Sequence, residues 1–107
     1  MARISTHVLD IAKGAPAAGI TVELHSAGRL IDSAMTNSDG RTGAPLLAAD
    51  RIPAGAYELI FNVEAYLHAE PAFFDRIAIR FTVIDEEGNY HVPLLLAPHG
   101  YSTYRGS

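Results

Sequence analysis

The sequence predicts an all-β sandwich, built as a single domain over residues 1–107 with one short helix. Three observations carry this. Apolar residues recur every second position over several short stretches, the signature of half-buried antiparallel strands. Gly, Asn, Asp and Pro cluster between those stretches, where tight turns need them. At 107 residues the chain suits one domain large enough to bury a core without staples. It contains no cysteine, which excludes a disulfide framework, a thiolate zinc site and a cysteine nucleophile.

The elements follow in order. Over Arg3–Leu9, Ile4, Thr6 and Val8 share the core face of a strand, while Arg3, Ser5, His7 and Leu9 point away. Turns at Lys13-Gly14 and Ala18-Gly19 lead into a strand with Ile20, Val22 and Leu24 inward. Asn37-Ser38-Asp39-Gly40 is a tight turn expected to launch Arg41 at the start of a strand. After Pro53-Ala54-Gly55, Tyr57, Leu59, Phe61 and Val63 alternate with Glu58, Ile60 and Asn62. Glu64–Glu70 holds good helix formers and stops at Pro71, giving a helix of about two turns. Ile77, Ile79, Phe81 and Val83 form the next inward row, and Glu86-Glu87-Gly88-Asn89 turns the chain. In His91–Ala97, Val92, Leu94 and Leu96 lie on one face, with His91, Pro93, Leu95 and Ala97 on the other. A strand apolar on both faces is covered on both, so a partner subunit is expected on the outer face. Pro93 lacks a ladder donor, which suggests an edge or bulge position. Pro98-His99-Gly100 turns into a final strand, Tyr101–Arg105.

Composition narrows the function classes. A net charge of −4 disfavours nucleic acid, which requires a positive field. No apolar run approaches the ~20 residues that span a bilayer. Charged residues make up 19%, below the usual ~25%, which favours an oligomer with buried faces. No apolar secretory run follows Met1–Ser5, so a cytoplasmic location is expected, or a periplasmic one if a leader has been removed.

Candidate chemistry is thin when read residue by residue. His7 sits on an outward strand face, where a solvated side chain is the ordinary reading. His91 lies on the two-sided strand, either as a structural imidazole or as a group tuned for proton transfer in a partly dry interface. Arg41 follows a rigid turn and can hold an anion or simply meet solvent. Tyr104 suits an interface anchor, and Arg105 a tail residue. The histidines show no metal-ligand spacing, and no phosphate-binding glycine loop or Gly-x-Ser-x-Gly elbow is present.

Together these positions resemble a family. Ser5-Thr6-His7-Val8-Leu9-Asp10, Gly14-Ala15-Pro16-Ala17, Thr36-Asn37-Ser38-Asp39-Gly40-Arg41-Thr42, Tyr90-His91-Val92-Pro93-Leu94-Leu95-Leu96 and Tyr101-Ser102-Thr103-Tyr104-Arg105-Gly106-Ser107 are similar, in order, to the transthyretin-related 5-hydroxyisourate hydrolases. The terminal Tyr104-Arg105-Gly106-Ser107 is the most specific of these motifs. Ala97, His99 and Asn89 depart from the family pattern, none at a matched catalytic position. The resemblance implies a transthyretin-like sandwich of two four-stranded sheets with one short α-helix. It also implies a homotetramer, a dimer of dimers, with active sites in a groove between dimers. It implies hydrolysis of 5-hydroxyisourate with no metal and no cofactor. His7, Arg41 and His91 become the catalytic residues, and His7, Arg41, Tyr104, Arg105 and Ser107 the substrate-binding ones. The alternative is a transthyretin-like small-molecule binding protein without catalysis.

Overall fold

The computed structural model describes residues 1–67 and 73–107. These form β1 (Ala2–Asp10), β2 (Ala15–Pro16), β3 (Thr21–Ser26), β4 (Arg29–Met35), β5 (Leu47–Ala49), β6 (Gly55–Asn62), α1 (Glu64–Leu67), β7 (Arg76–Val83), β8 (Asn89–Ala97) and β9 (Gly100–Thr103). One sheet runs β2-β1-β8-β9, with β5 also paired to β1, and the other runs β4-β3-β6-β7. β5 pairs with the start of β1 and β2 with its end. The two short strands therefore share one edge, and the first sheet is four strands wide.

The alternating rows meet between the sheets. Ile4, Val8, Val22, Leu24, Leu59, Phe61, Leu94 and Leu96 are fully buried there. Burying each such side chain is worth about 1.5–3 kcal/mol. Every inward row expected on β1, β3, β6, β7 and β8 is on the core side. The pairing of β1 with β8 is parallel, over Arg3–Asp10 and Asn89–Leu96. Alternation alone does not distinguish that direction from the antiparallel one.

One local expectation is refined and two are corrected. β8 is an interior strand between β1 and β9, and its register with β1 is unbroken, so Pro93 is not at a bulge; it stands instead at a local edge, beyond the end of the β9 ladder. The β9 ladder reaches only Leu94, and the Pro93 carbonyl on that side accepts the Thr103 hydroxyl at 2.7 Å. The missing N–H thus falls where no ladder partner waits. The last strand ends at Thr103, and Gly106 makes only an isolated bridge to His91. Arg41 does not open a strand; it lies in a loop, and β5 starts at Leu47. After Gly40, whose φ is 76°, the chain curls back onto β1, where the Gly40 carbonyl accepts Val8 N. The helix begins at Glu64 as expected and is described through Leu67; its expected continuation to Glu70 and the stop at Pro71 lie outside the described residues.

The α1 segment is tied to β1 through Asp10. Its carboxylate accepts the Tyr66 hydroxyl at 2.7 Å and the amides of Ala12 and Lys13 at 3.0 and 2.9 Å. Burial alone would push this carboxyl up. The hydrogen bonds from Tyr66, Lys13 and Ala12, with the Lys13 charge, outweigh it and hold the group below the usual carboxylate range.

Candidate functional site

The alternation that buries Ile4, Thr6 and Val8 turns Arg3, Ser5, His7 and Leu9 onto the outer face of the first sheet. In the parallel register, Ser5 lies opposite His91 and His7 opposite Pro93. Paired residues on adjacent strands project to the same side, so two histidines 84 positions apart in the chain share one small surface. Thr6 helps hold that register from the core side, its hydroxyl donating to the Val92 carbonyl at 2.7 Å.

His91 is half-buried, and its Nδ1 is 2.9 Å from Ser5 Oγ. Burial first, and then the nearby Arg41 and His7, push its pKa below the usual imidazole value. A neutral imidazole close to a guanidinium and a second imidazole is suited to proton transfer near neutral pH. Arg41 itself is exposed. It lines a cavity of about 230 Å³ together with Arg3, Ser5 and the Thr42–Pro45 loop. The register thus sets His7 and His91 on one face, and Arg41 lines a cavity that shares Ser5, the hydrogen-bond partner of His91.

His7 is held from its other side. Between β5 and β2 the edge of β1 is completed by a loop, with Val8 N donating to Gly40 O at 2.8 Å. A Cβ at Gly40 would run into the Val8 carbonyl oxygen and lie 3.2 Å from His7 Cδ2. Glycine is what allows this approach. The loop then offers the Asp39 carbonyl to His7 Nε2 at 2.8 Å.

The C-terminal tail divides. Gly106 N donates to His91 O at 2.7 Å, and a Cβ there would sit 2.6 Å from His91 Cδ2. Ser107 follows it, exposed. Arg105 turns the other way: its guanidinium stacks 4.4 Å from the Tyr90 ring centre and donates to Asn89 O at 3.1 Å. Tyr104 and Arg105 line a second cavity of about 470 Å³ against Phe81, Tyr90 and Val92. Tyr104 and Arg105 are therefore not brought to the His7–Arg41–His91 cluster within one chain.

Sequence reasoning placed Ser5 on the right face without giving it a role, and read Asn37 and Asp39 only as turn residues. The signal for Ser5 was available: it stands two residues before His7 on the same strand face. No sequence spacing announces a backbone carbonyl as the partner of His7.

The model of the HIUase/Transthyretin family matches residues 4–106. The chain belongs to this family. Within it, the chain is 48% identical to the 5-hydroxyisourate hydrolase of Deinococcus radiodurans, with 97% of this chain and 95% of that protein covered. It is 44% identical to the 5-hydroxyisourate hydrolase of Pseudomonas aeruginosa, covering all of this chain and 93% of that one. The solved structure of Klebsiella pneumoniae 5-hydroxyisourate hydrolase superposes with a TM-score of 0.87 at 41% identity, covering all of both chains. The solved structure of transthyretin from Sparus aurata superposes with a TM-score of 0.84 at 25% identity, covering 97% of this chain and 96% of that one.

Proposed function

We propose that this protein is a 5-hydroxyisourate hydrolase of urate degradation. The observation that carries the reading is 44–48% identity, over nearly the whole of both chains, to proteins of that activity. The product would be 2-oxo-4-hydroxy-4-carboxy-5-ureidoimidazoline.

The chemistry asks for three things. Water must lose a proton as its oxygen attacks the ring carbonyl, the resulting oxyanion must be stabilised, and the leaving nitrogen must gain a proton as the acyl C–N bond breaks. His7 and His91 form the acid–base pair of this proposal. Arg41, free of a strand ladder and lining the adjoining cavity, holds the substrate and faces the developing negative charge. The tail meets His91 through Gly106, which brings Ser107 toward the site in this proposal, while Arg105 anchors it on Tyr90.

The proposed assembly is a homotetramer. Support comes from the outer face of the first sheet, where Leu9, Pro93 and Leu95 form an apolar row beside the two histidines. A partner laid on that row would cover apolar surface and enclose the imidazoles, which strengthens electrostatics in the crevice. Among the described residues, no helix is long and apolar enough to cross a membrane.

The test follows the absorbance of freshly generated 5-hydroxyisourate with and without protein. Catalysis predicts decay well above the spontaneous rate. Decay at the buffer rate, together with saturable binding of an aromatic hormone such as thyroxine, would replace the hydrolase with a carrier.

A further inference from the structure

We infer that Asn37 is a positioning residue that fixes which ring nitrogen of His7 is free to take up a proton. The inference rests on the hydrolase reading for its reaction and on hydrogen-bond geometry for the assignment.

A main-chain carbonyl only accepts hydrogen bonds. The contact between His7 Nε2 and Asp39 O at 2.8 Å therefore requires the hydrogen on Nε2. The neutral ring then keeps its lone pair on Nδ1, and that atom takes the proton from the attacking water. His91 is under no such constraint. Its Nδ1 meets the Ser5 hydroxyl, which donates or accepts as the ring demands. One imidazole is locked in a single tautomer and the other is free to switch. The locked ring suits the base, and the switching ring suits a relay that takes up a proton at one nitrogen as it gives one up at the other, so that the proton lost by water reaches the leaving nitrogen.

The lock depends on where the Asp39 carbonyl points, and Asn37 controls that. Its Oδ1 accepts the amides of Asp39 at 2.9 Å and Arg41 at 3.2 Å. Its own amide donates to Arg41 O at 2.7 Å, and its carbonyl accepts Gly40 N at 2.9 Å. The side chain thus closes the loop around the residue whose carbonyl holds His7. The same loop launches Arg41. Removing Oδ1 leaves two amides without an acceptor and frees both the His7 partner and the guanidinium to shift. A displacement of about 1 Å in such a constellation is enough to cost about 10²-fold in rate.

The experiment uses the full chain labelled with 15N-histidine. Long-range 1H–15N spectra report the tautomer of each ring, and a His7→Gln variant assigns His7. The wild-type ring is expected to be protonated on Nε2 and bare on Nδ1. Asn37→Ala is expected to lower kcat by about 10²-fold, with a smaller change in KM, and to mix the His7 tautomers. Asn37→Asp keeps an acceptor oxygen and is expected to restore a single tautomer and most of kcat. A wild-type His7 protonated on Nδ1 overturns the inference. So does an Asn37→Ala protein with normal kcat and one tautomer, or an Asn37→Asp protein as impaired as Asn37→Ala. A wild-type protein locked on Nε2 that does not consume 5-hydroxyisourate would instead remove the hydrolase reading and leave the assignment of His7 standing.

Discussion

Ser5 Oγ meets His91 Nδ1 at 2.9 Å across the parallel pairing of β1 with β8. The bond ties the outer face of β1 to the ring of His91 and restrains that ring's orientation. Ser5→Ala removes it without disturbing the core, since Ser5 lies on the outer face. A hydrogen bond of this kind is worth about 1 kcal/mol net, so turnover is expected to fall roughly fivefold and the melting temperature by no more than about 4–8 °C. Steady-state kinetics beside a thermal melt separates the two. Ser5→Thr, which keeps the hydroxyl, is expected to recover most of the loss.

The low pKa of His91 has a signed consequence. Its causes are burial first, then Arg41, then His7, and all three disfavour the charged ring. At pH values just under the ordinary imidazole value of 6.5, the unfolded chain therefore binds more protons at this residue than the folded chain. Its contribution to stability is present above pH 6.5 and is lost as pH falls through the lower folded value. An NMR titration of the His91 ring is expected to give a pKa below 6.5, and Arg41→Gln is expected to move it upward. A His91 that titrates at the same pH in both proteins would detach Arg41 from the site.

Gly106 is the residue of the tail that touches His91, and it has no room for a side chain. Gly106→Ala would push a methyl group into the ring, so the tail or the imidazole must move. The expected outcome is a loss of about 10²-fold in turnover with a folded, well-dispersed NMR spectrum. Full activity in Gly106→Ala would show that the tail yields at no cost to the site.

Tyr66→Phe tests the link between α1 and β1. It deletes the hydroxyl that donates to the Asp10 carboxylate. A hydrogen bond to a charged group contributes about 1.5–3 kcal/mol, so denaturation at pH 7 should show a loss of that order. Asp10 is held below its ordinary carboxylate range, so this stability is present above that range and is lost as pH falls through the folded value. The difference between wild type and variant should therefore shrink at pH 3, as read from paired denaturation curves.

The fold was largely legible because strand burial has a period of two that survives in the sequence. Ile4, Val22, Phe61, Ile79 and Leu94 each fall on the core side that alternation assigns. The outward positions of His7 and His91 follow from the same count. Pairing was not legible: nothing in the residues of β1 and β8 states that they run parallel, and that pairing is what sets Ser5 beside His91. The course of Arg41 was misread because the positive φ of Gly40 serves equally to start a hairpin strand or to fold a loop back on β1. Arg105 was credited with a place beside the histidines by motif. Its stacking on the Tyr90 ring depends on which face the tail takes after Thr103, which periodicity cannot reach across the irregular residues 104–107.

The central claim is that His7, Arg41 and His91 act together in one crevice. The most direct measurement compares the rate of 5-hydroxyisourate loss for the wild type with His7→Ala, Arg41→Ala and His91→Ala, each first verified by sedimentation to keep the wild-type assembly. Each substitution is expected to lower turnover by at least about 10²-fold. Near-normal turnover in any of the three, with the assembly intact, would contradict the account.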